Sequence, residues 1–241
     1  MKYKYFGRTD IGTKRSENQD SFGSTQTDWG SIFVLSDGFG HIEGGKFASQ
    51  AAVDLLISNY SKEKPSNINE FMHSSFEEIN HYIYFKRISF YENPMMGSTV
   101  VALIIENKTA HIGHVGDSRI YSLRNNKLSQ LTKDHSYVQF LIDRGKISPE
   151  STLINDRRHI LKKCLGTNQP TGFDYKQSNI KQDDKYLLCC DGLWSVIDDK
   201  NITKICTKYN PKIATKKLID AAISNGGTDN ITVQIICIDL Y

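Results

Sequence analysis

This sequence predicts an α+β fold, two antiparallel sheets with helices on their outer sides. Three observations lead there. Short apolar runs of strand character fall in clusters, so the pattern is a set of meanders and not an alternating β-α-β winding. The long helical patterns sit in separate blocks. Two hairpin signals, Glu106-Asn107-Lys108 and Arg124-Asn125-Asn126-Lys127, join neighbouring runs in mid-chain.

The elements follow in order. Strands are predicted at about 2–7, 18–24 and 31–36. A helix at about 44–60 places Phe47, Ala51, Leu55 and Val53, Leu56 at helical spacing. A second, at about 67–90, carries Phe71, Phe76, Ile79, Ile83 and Phe85 as a core stripe. Strands at about 98–105, 109–115 and 119–124 form a meander. Asp134, with Ser136 nearby, reads as the N-cap of a helix at about 134–144. Residues 145–170, rich in Arg, Lys, Ser and Asn, read as an exposed excursion. Strands at about 171–180 and 184–190, helices at about 199–208 and 211–224, and a strand at about 230–238 complete the chain.

Composition narrows the function classes. With only five prolines and no Gly/Ser/Pro-rich stretch, the 241 residues read as one domain. A net charge of +3 without an aromatic-interleaved basic stripe argues against nucleic acid as a partner. Residues Met1 to Phe6 lack the apolar segment of a signal peptide, and the longest apolar run, Val100 to Ile105, is too short to span a membrane. The five cysteines lack metal-ligand spacing and read as reduced thiols of a cytoplasmic core. Cys189 and Cys190, adjacent on a strand, should face opposite sides.

The chemistry lies in the acids. Phe33-Val34-Leu35-Ser36-Asp37-Gly38 is echoed by Leu187-Leu188-Cys189-Cys190-Asp191-Gly192, each an apolar run stopping on Asp-Gly. A carboxylate at the end of a buried strand is costly unless a cation or donors lie beside it. Asp20 stands at a strand start five residues after Arg15, Asp117 follows Gly116 between two strands, and Asp229 precedes the last strand. Each could be turn punctuation by itself; together they point to a metal site. With no His/Cys ligand cluster in the sequence, zinc is disfavoured. An all-oxygen set suits Mg²⁺ or Mn²⁺, and Arg15 could clamp an oxyanion through its bidentate fork.

Seven blocks in order carry a resemblance: Arg15 with Asn18-Gln19-Asp20, Asp37-Gly38, Gly97-Ser98-Thr99, Gly116-Asp117-Ser118-Arg119, Asp134-His135-Ser136, Cys190-Asp191-Gly192-Leu193-Trp194 and Gly227-Thr228-Asp229-Asn230-Ile231-Thr232. From about Gly12 to Val233 the chain resembles the metal-dependent protein serine/threonine phosphatases of type 2C, in their compact bacterial form. The resemblance implies a four-layer α-β-β-α sandwich, two antiparallel sheets flanked by helix pairs, spanning residues 1–241 with a flap segment at about 140–170. It implies that Asp37 bridges two metals, that the Gly38 carbonyl binds one of them, and that Asp191 and Asp229 complete the other site. Asp20 would hold metal-bound waters, Asp117 with Asp191 a third and weaker metal, and Arg15 the substrate phosphate. The implied reaction is hydrolysis of phosphoserine and phosphothreonine by a hydroxide bridging two Mn²⁺ or Mg²⁺ ions. The implied setting is a cytoplasmic monomer acting on phosphorylated proteins and opposing a bacterial Ser/Thr kinase. Trp194 would wall the metal cleft.

Two positions depart from the family pattern. After Asp37-Gly38 the run is Phe39-Gly40-His41, so His41 stands where bacterial relatives place a second glycine. It is either a general acid for the leaving alkoxide or a solvent-exposed loop histidine. Lys46 replaces an acidic residue and reads as a surface charge. His111, His114 and His135 read as strand, turn and cap residues. Two other functions stay open: a catalytically silent phosphoprotein-binding module, which would normally have lost one of Asp37, Asp191, Asp229 or Arg15, and a phosphatase acting on a small phosphate monoester or an anti-sigma-factor antagonist.

Overall fold

Strand β3 (Gly30–Phe39) is apolar on both faces, and both faces are covered. Ile32 and Val34 enter one core while Phe33 and Leu35 enter another, as the two-residue period of a strand requires. β3 pairs with β2 (Asp20–Thr27) and β5 (Val100–Glu106). With β6 (Thr109–Val115) and β9 (Asp174–Asn179) these form a sheet of order β2-β3-β5-β6-β9, and the short β4 (Gly97–Ser98) pairs with the end of β3. The second sheet, of order β1-β11-β10-β7-β8, contains β1 (Lys2–Asp10), β11 (Ile231–Asp239), β10 (Lys185–Cys189), β7 (Arg119–Arg124) and β8 (Lys127–Gln130). All these pairings are antiparallel. The computed structural model describes residues 2–40, 43–91, 95–148, 157 and 160–239.

Helices cover the two outer faces. α1 (Gly44–Lys62) and α2 (Ile68–Lys86) pack Ala52, Leu56, Met72, Phe76 and Ile79 onto Ile32, Val34, Ala102 and Ile104. α5 (Asp199–Lys208) and α6 (Pro211–Ser224) pack Ile202, Ala214 and Leu218 onto Leu187, Val233 and Ile235. Between the sheets lie Phe33, Leu35, Leu103, Ile120, Tyr186, Leu188 and Ile236. The buried Gln234 clamps the two sheets, its Nε2 donating to Val34 O at 2.8 Å. The layers therefore run helix, sheet, sheet, helix, as the resemblance implied. Local chemistry starts the helices: Asn67 accepts from Asn69 N and Glu70 N, Asp198 from Asn201 N, and Asn210 from Ile213 N with Pro211 at the first turn.

The differences from expectation have physical causes. β8 was not anticipated, since Lys127-Leu128-Ser129-Gln130 is too polar for a strand signal; its edge position needs only one paired side. The turn before it does match its signal, with Asn125 and Asn126 at φ 51° and 60°. α2 ends at Lys86 and passes into a π turn over Arg87–Tyr91 instead of continuing to 90. α3 (Tyr137–Asp143) is capped by Ser136, whose Oγ accepts from Gln139 N at 3.1 Å; Asp134 is not the cap. A one-turn helix, α4 (Asp191–Trp194), was not foreseen. Within the anticipated flap, residues 149–156, 158 and 159 lie outside the described residues. Among the described residues no helix is long and apolar enough to cross a membrane.

Candidate metal centre

The strand ends meet at one edge of the sandwich. The β2–β3 register sets Asp20 directly opposite Asp37. β10 delivers Cys190 and Asp191 beside the start of β11, where Cys190 N donates to Thr232 O at 3.2 Å. Both glycines of the Asp-Gly pairs are required by neighbouring backbone. A Cβ on Gly38 would stand 2.0 Å from Gly45 O, and one on Gly192 would stand 2.0 Å from Asn230 O. The segment bearing Arg15 is held to the same edge by Asn230, whose Nδ2 donates to Ile11 O and Glu17 O and whose Oδ1 accepts from Gln19 N.

The electrostatics record how closely the acids gather. Burial raises the Asp37 carboxyl well above the usual range, and Asp20, Asp191, Asp117 and Asp229 all add repulsion. Burial pushes Asp20 up to about 7, against the hydrogen bond from Thr232 and with further repulsion from Asp191 and Asp229. Burial, then Asp191 and Asp134, raises Asp117, while Arg119 opposes the rise. Asp20 is 1% exposed; its Oδ2 accepts from Thr232 Oγ1 at 2.6 Å, but its Oδ1 has no hydrogen-bond partner. A buried carboxylate oxygen left unpaired among like charges needs a proton or a cation. The donors are oxygens from Asp side chains, with a carbonyl available at Gly38, so the set fits divalent hard cations.

Arg15 is engaged within this edge. Its Nε and Nη2 donate to Asp229 Oδ1 and Oδ2 at 2.7 and 2.6 Å, and this pairing, aided by Asp37 and Asp191, raises the guanidinium pKa. The two side chains are 58% and 38% exposed, so the pair contributes only about 0–1 kcal/mol and can be exchanged cheaply.

A second cation anchors the Asp117 turn. Arg119 forms two bonds to Asp134, at 2.9 and 2.7 Å, and its guanidinium lies 3.6 Å above the Trp194 ring. Trp194 Nε1 donates to Asp117 O at 3.0 Å. Asp134 is thus the partner of Arg119, and Trp194 fixes the backbone of Asp117. Lys46 is no plain surface charge either, since its Nζ donates to Asp20 O at 2.7 Å and Ser21 Oγ at 3.1 Å. His41 lies outside the described residues.

The sequence carries no His/Cys ligand cluster, yet the fold brings a cysteine and two histidines close to acids. Cys190 lies with Asp20 and Asp37, and His114 and His135 lie with Asp174, each trio within 4.8 Å between ligand atoms. Sequence spacing could not show either, because each trio joins three separate elements. The histidine trio is poorly arranged for an ion. His114 and His135 stack at 4.4 Å with planes 14° apart, so their in-plane lone pairs do not converge. Gly116 N–H donates to His135 Nδ1, which places the ring proton on Nε2, facing Asp174 at 3.3 Å. Burial lowers His135 to about 4, leaving a neutral stack that braces the Gly116-Asp117 turn.

Comparison with known proteins agrees with this geometry. The protein phosphatase 2C family model matches residues 9–220. The chain is 35% identical to the serine/threonine phosphatase stp of Listeria monocytogenes over 239 residues, 97% of this chain and 95% of that protein. Its fold is similar to that of the S. agalactiae serine/threonine phosphatase, with a TM-score of 0.94 at 29% identity over 99% of this chain and 100% of that one. It is also similar to the catalytic domain of PstP crystallised with two manganese ions, with a TM-score of 0.87 at 28% identity over 98% of each chain.

Proposed function

This chain belongs to the protein phosphatase 2C family, and we propose that it removes phosphate from serine and threonine side chains of phosphorylated proteins with Mn²⁺ or Mg²⁺ bound. The observation that carries the reading is the convergence of Asp20, Asp117, Asp191 and Asp229 on Asp37. In this reading Asp37, the Gly38 carbonyl, Asp191 and Asp229 hold two cations. Asp117 with Asp191 holds a third, and Asp20 orders water around them. Bound there, such cations lower the pKa of water towards neutrality and neutralise charge on phosphoryl oxygens.

The chain's own residues do the rest. With Asp229 holding a cation, Arg15 would be free of its bidentate pair and would offer the same planar fork to two phosphate oxygens. Asp20, fixed by Thr232 on one oxygen, keeps the other free to accept from a water. Asp117 is held in place by Trp194 and by the Arg119–Asp134 pair, so its carboxylate does not have to be organised during turnover. A serine or threonine alkoxide needs a proton as it departs, and His41 is the proposed donor.

The reading extends to one phosphatase domain over the whole chain, with the flap near 140–170 beside the cleft. It further proposes a cytoplasmic monomer that opposes a serine/threonine kinase. The five free cysteines support a reducing compartment. The test is release of phosphate from a phosphothreonine peptide, with and without Mn²⁺, by the wild type and Asp191→Ala. Mn²⁺-dependent release that collapses in Asp191→Ala is expected; release that survives EDTA contradicts the reading.

A further inference from the structure

The two outer helix layers differ in charge. The solvent side of α5 and α6 presents Lys200, Lys204, Lys208, Lys212, Lys216 and Lys217, all exposed, against Asp198, Asp199 and Asp220. α1 and α2 lean the other way, exposing Asp54, Glu70 and Glu78 against Lys62. Asp198 caps α5, its Oδ1 accepting from Asn201 N at 2.7 Å, and Asp220 pairs with Lys216 at 2.6 Å. Among the described residues the other five lysines form no ion pair. The free chain gains nothing from them. Lys200, Lys204 and Lys208 follow one another at four-residue spacing, where like charges destabilise a helix. Lys212 lies in the first turn of α6, where the helix dipole disfavours a cation and no acid is present. An anionic surface outside the chain would relieve both. We propose that the outer face of α5 and α6 docks on a bilayer rich in anionic phospholipid.

The kind of cation favours a membrane. All six are lysines, whose compact hydrated ammonium suits a field of mobile headgroups. The planar fork of arginine, absent from this face, suits a fixed phosphate or a nucleic acid. The six are spread along two neighbouring helices, so they form a broad charged surface instead of ringing one point. Where the helices join, Lys208 Nζ lies 5.4 Å and Lys217 Nζ 4.9 Å from the centre of the Tyr209 ring, and Ile213 is 44% exposed. An amphipathic ring and an aliphatic chain both fit the headgroup layer. Each lysine close to an anionic membrane strengthens binding about fivefold. Such docking is peripheral and needs no spanning segment. α5 and α6 lie over the face of their sheet, whereas the acids gather at strand ends, so docking leaves the metal edge open to the side. A phosphorylated segment tethered at the same bilayer could then reach it; in that respect alone the inference rests on the phosphatase reading.

The test is flotation of the full chain, in EDTA, with vesicles of equal parts phosphatidylglycerol and phosphatidylcholine. Binding is expected at about 0.1 M salt and its loss at about 1 M, with none to phosphatidylcholine alone. The triple variant Lys204→Gln, Lys208→Gln, Lys217→Gln should bind about a hundredfold more weakly. The triple variant Lys62→Gln, Lys108→Gln, Lys127→Gln removes the same charge from exposed lysines outside α5 and α6 and should bind as the wild type does. Equal losses in the two triples, equal binding to neutral vesicles, or binding indifferent to salt overturns the proposal. A wild type that binds soluble polyglutamate but not the anionic vesicles overturns it in favour of an acidic protein. Mn²⁺-dependent phosphate release from a soluble phosphothreonine peptide should be the same in both triples and the wild type. Its absence from all three would count against the phosphatase reading alone.

Discussion

Arg15 and Asp229 are joined by two parallel hydrogen bonds, at 2.7 and 2.6 Å, on the exposed rim of the acidic edge. Each residue is thus occupied by the other, while the proposed reaction gives each a second use, Asp229 towards a cation and Arg15 towards phosphate.

Arg15→Ala should therefore cost activity and spare the fold. Losing a bidentate charge-assisted contact to phosphate removes about 1.5–3 kcal/mol, roughly a 10–150-fold fall in kcat/KM for a phosphothreonine peptide. Stability should move by about 1 kcal/mol or less, since the pair is exposed. Arg15→Lys should recover little, because an ammonium cannot make the planar fork. Steady-state kinetics beside thermal melts check both halves.

Asp20 makes the metal-free chain sensitive to pH. Its folded pKa of about 7 lies above the ordinary 3.8, so the unfolded chain ionises first. The folded state therefore loses stability as pH rises from about 4 through about 7, and the loss is complete above that. In EDTA, Asp20→Asn should remove this component, for it keeps an oxygen for Thr232 without the charge. Relative to wild type it should gain on the order of 1–4 kcal/mol between pH 5 and pH 8. Urea melts across that range measure the difference; parallel curves would contradict it.

Cation binding should reverse that penalty. At about a hundredfold above its Kd, Mn²⁺ should stabilise the chain by about 2.7 kcal/mol, roughly 5–10 °C in Tm. Asp37→Asn should abolish most of that shift, and differential scanning calorimetry with and without Mn²⁺ reads it.

Gly38→Ala tests the backbone contact behind Asp37. A methyl group 2.0 Å from Gly45 O cannot be accommodated in place, so β3 and the start of α1 must separate. A loss of about 1–3 kcal/mol is expected, together with weakened Mn²⁺ binding. Unchanged melting and unchanged Mn²⁺ affinity would show that the contact is slack.

The layered fold was legible because β3, β5, β10 and β11 are short apolar runs whose alternation the sheets obey. Cys189 and Cys190 even enter different cores, as adjacent strand positions should. The acids were legible because Asp-Gly closing a buried strand is chemically costly. What stayed hidden depends on three-dimensional partners. Asp134 has the sequence of an N-cap, yet Arg119 outcompetes the helix for it and Ser136 caps instead. Lys46 has the sequence of a surface charge, yet its stem reaches the Asp20 carbonyl. Cys190 reads as a core thiol, because nothing local reveals that β2 and β3 bring two carboxylates to its sulfur.

The most direct test of the account is electron paramagnetic resonance of the chain saturated with Mn²⁺. Asp37 shared between two ions predicts the signal of an exchange-coupled Mn²⁺ pair, absent from Asp37→Asn. A wild type that shows only isolated Mn²⁺ at saturation would contradict it.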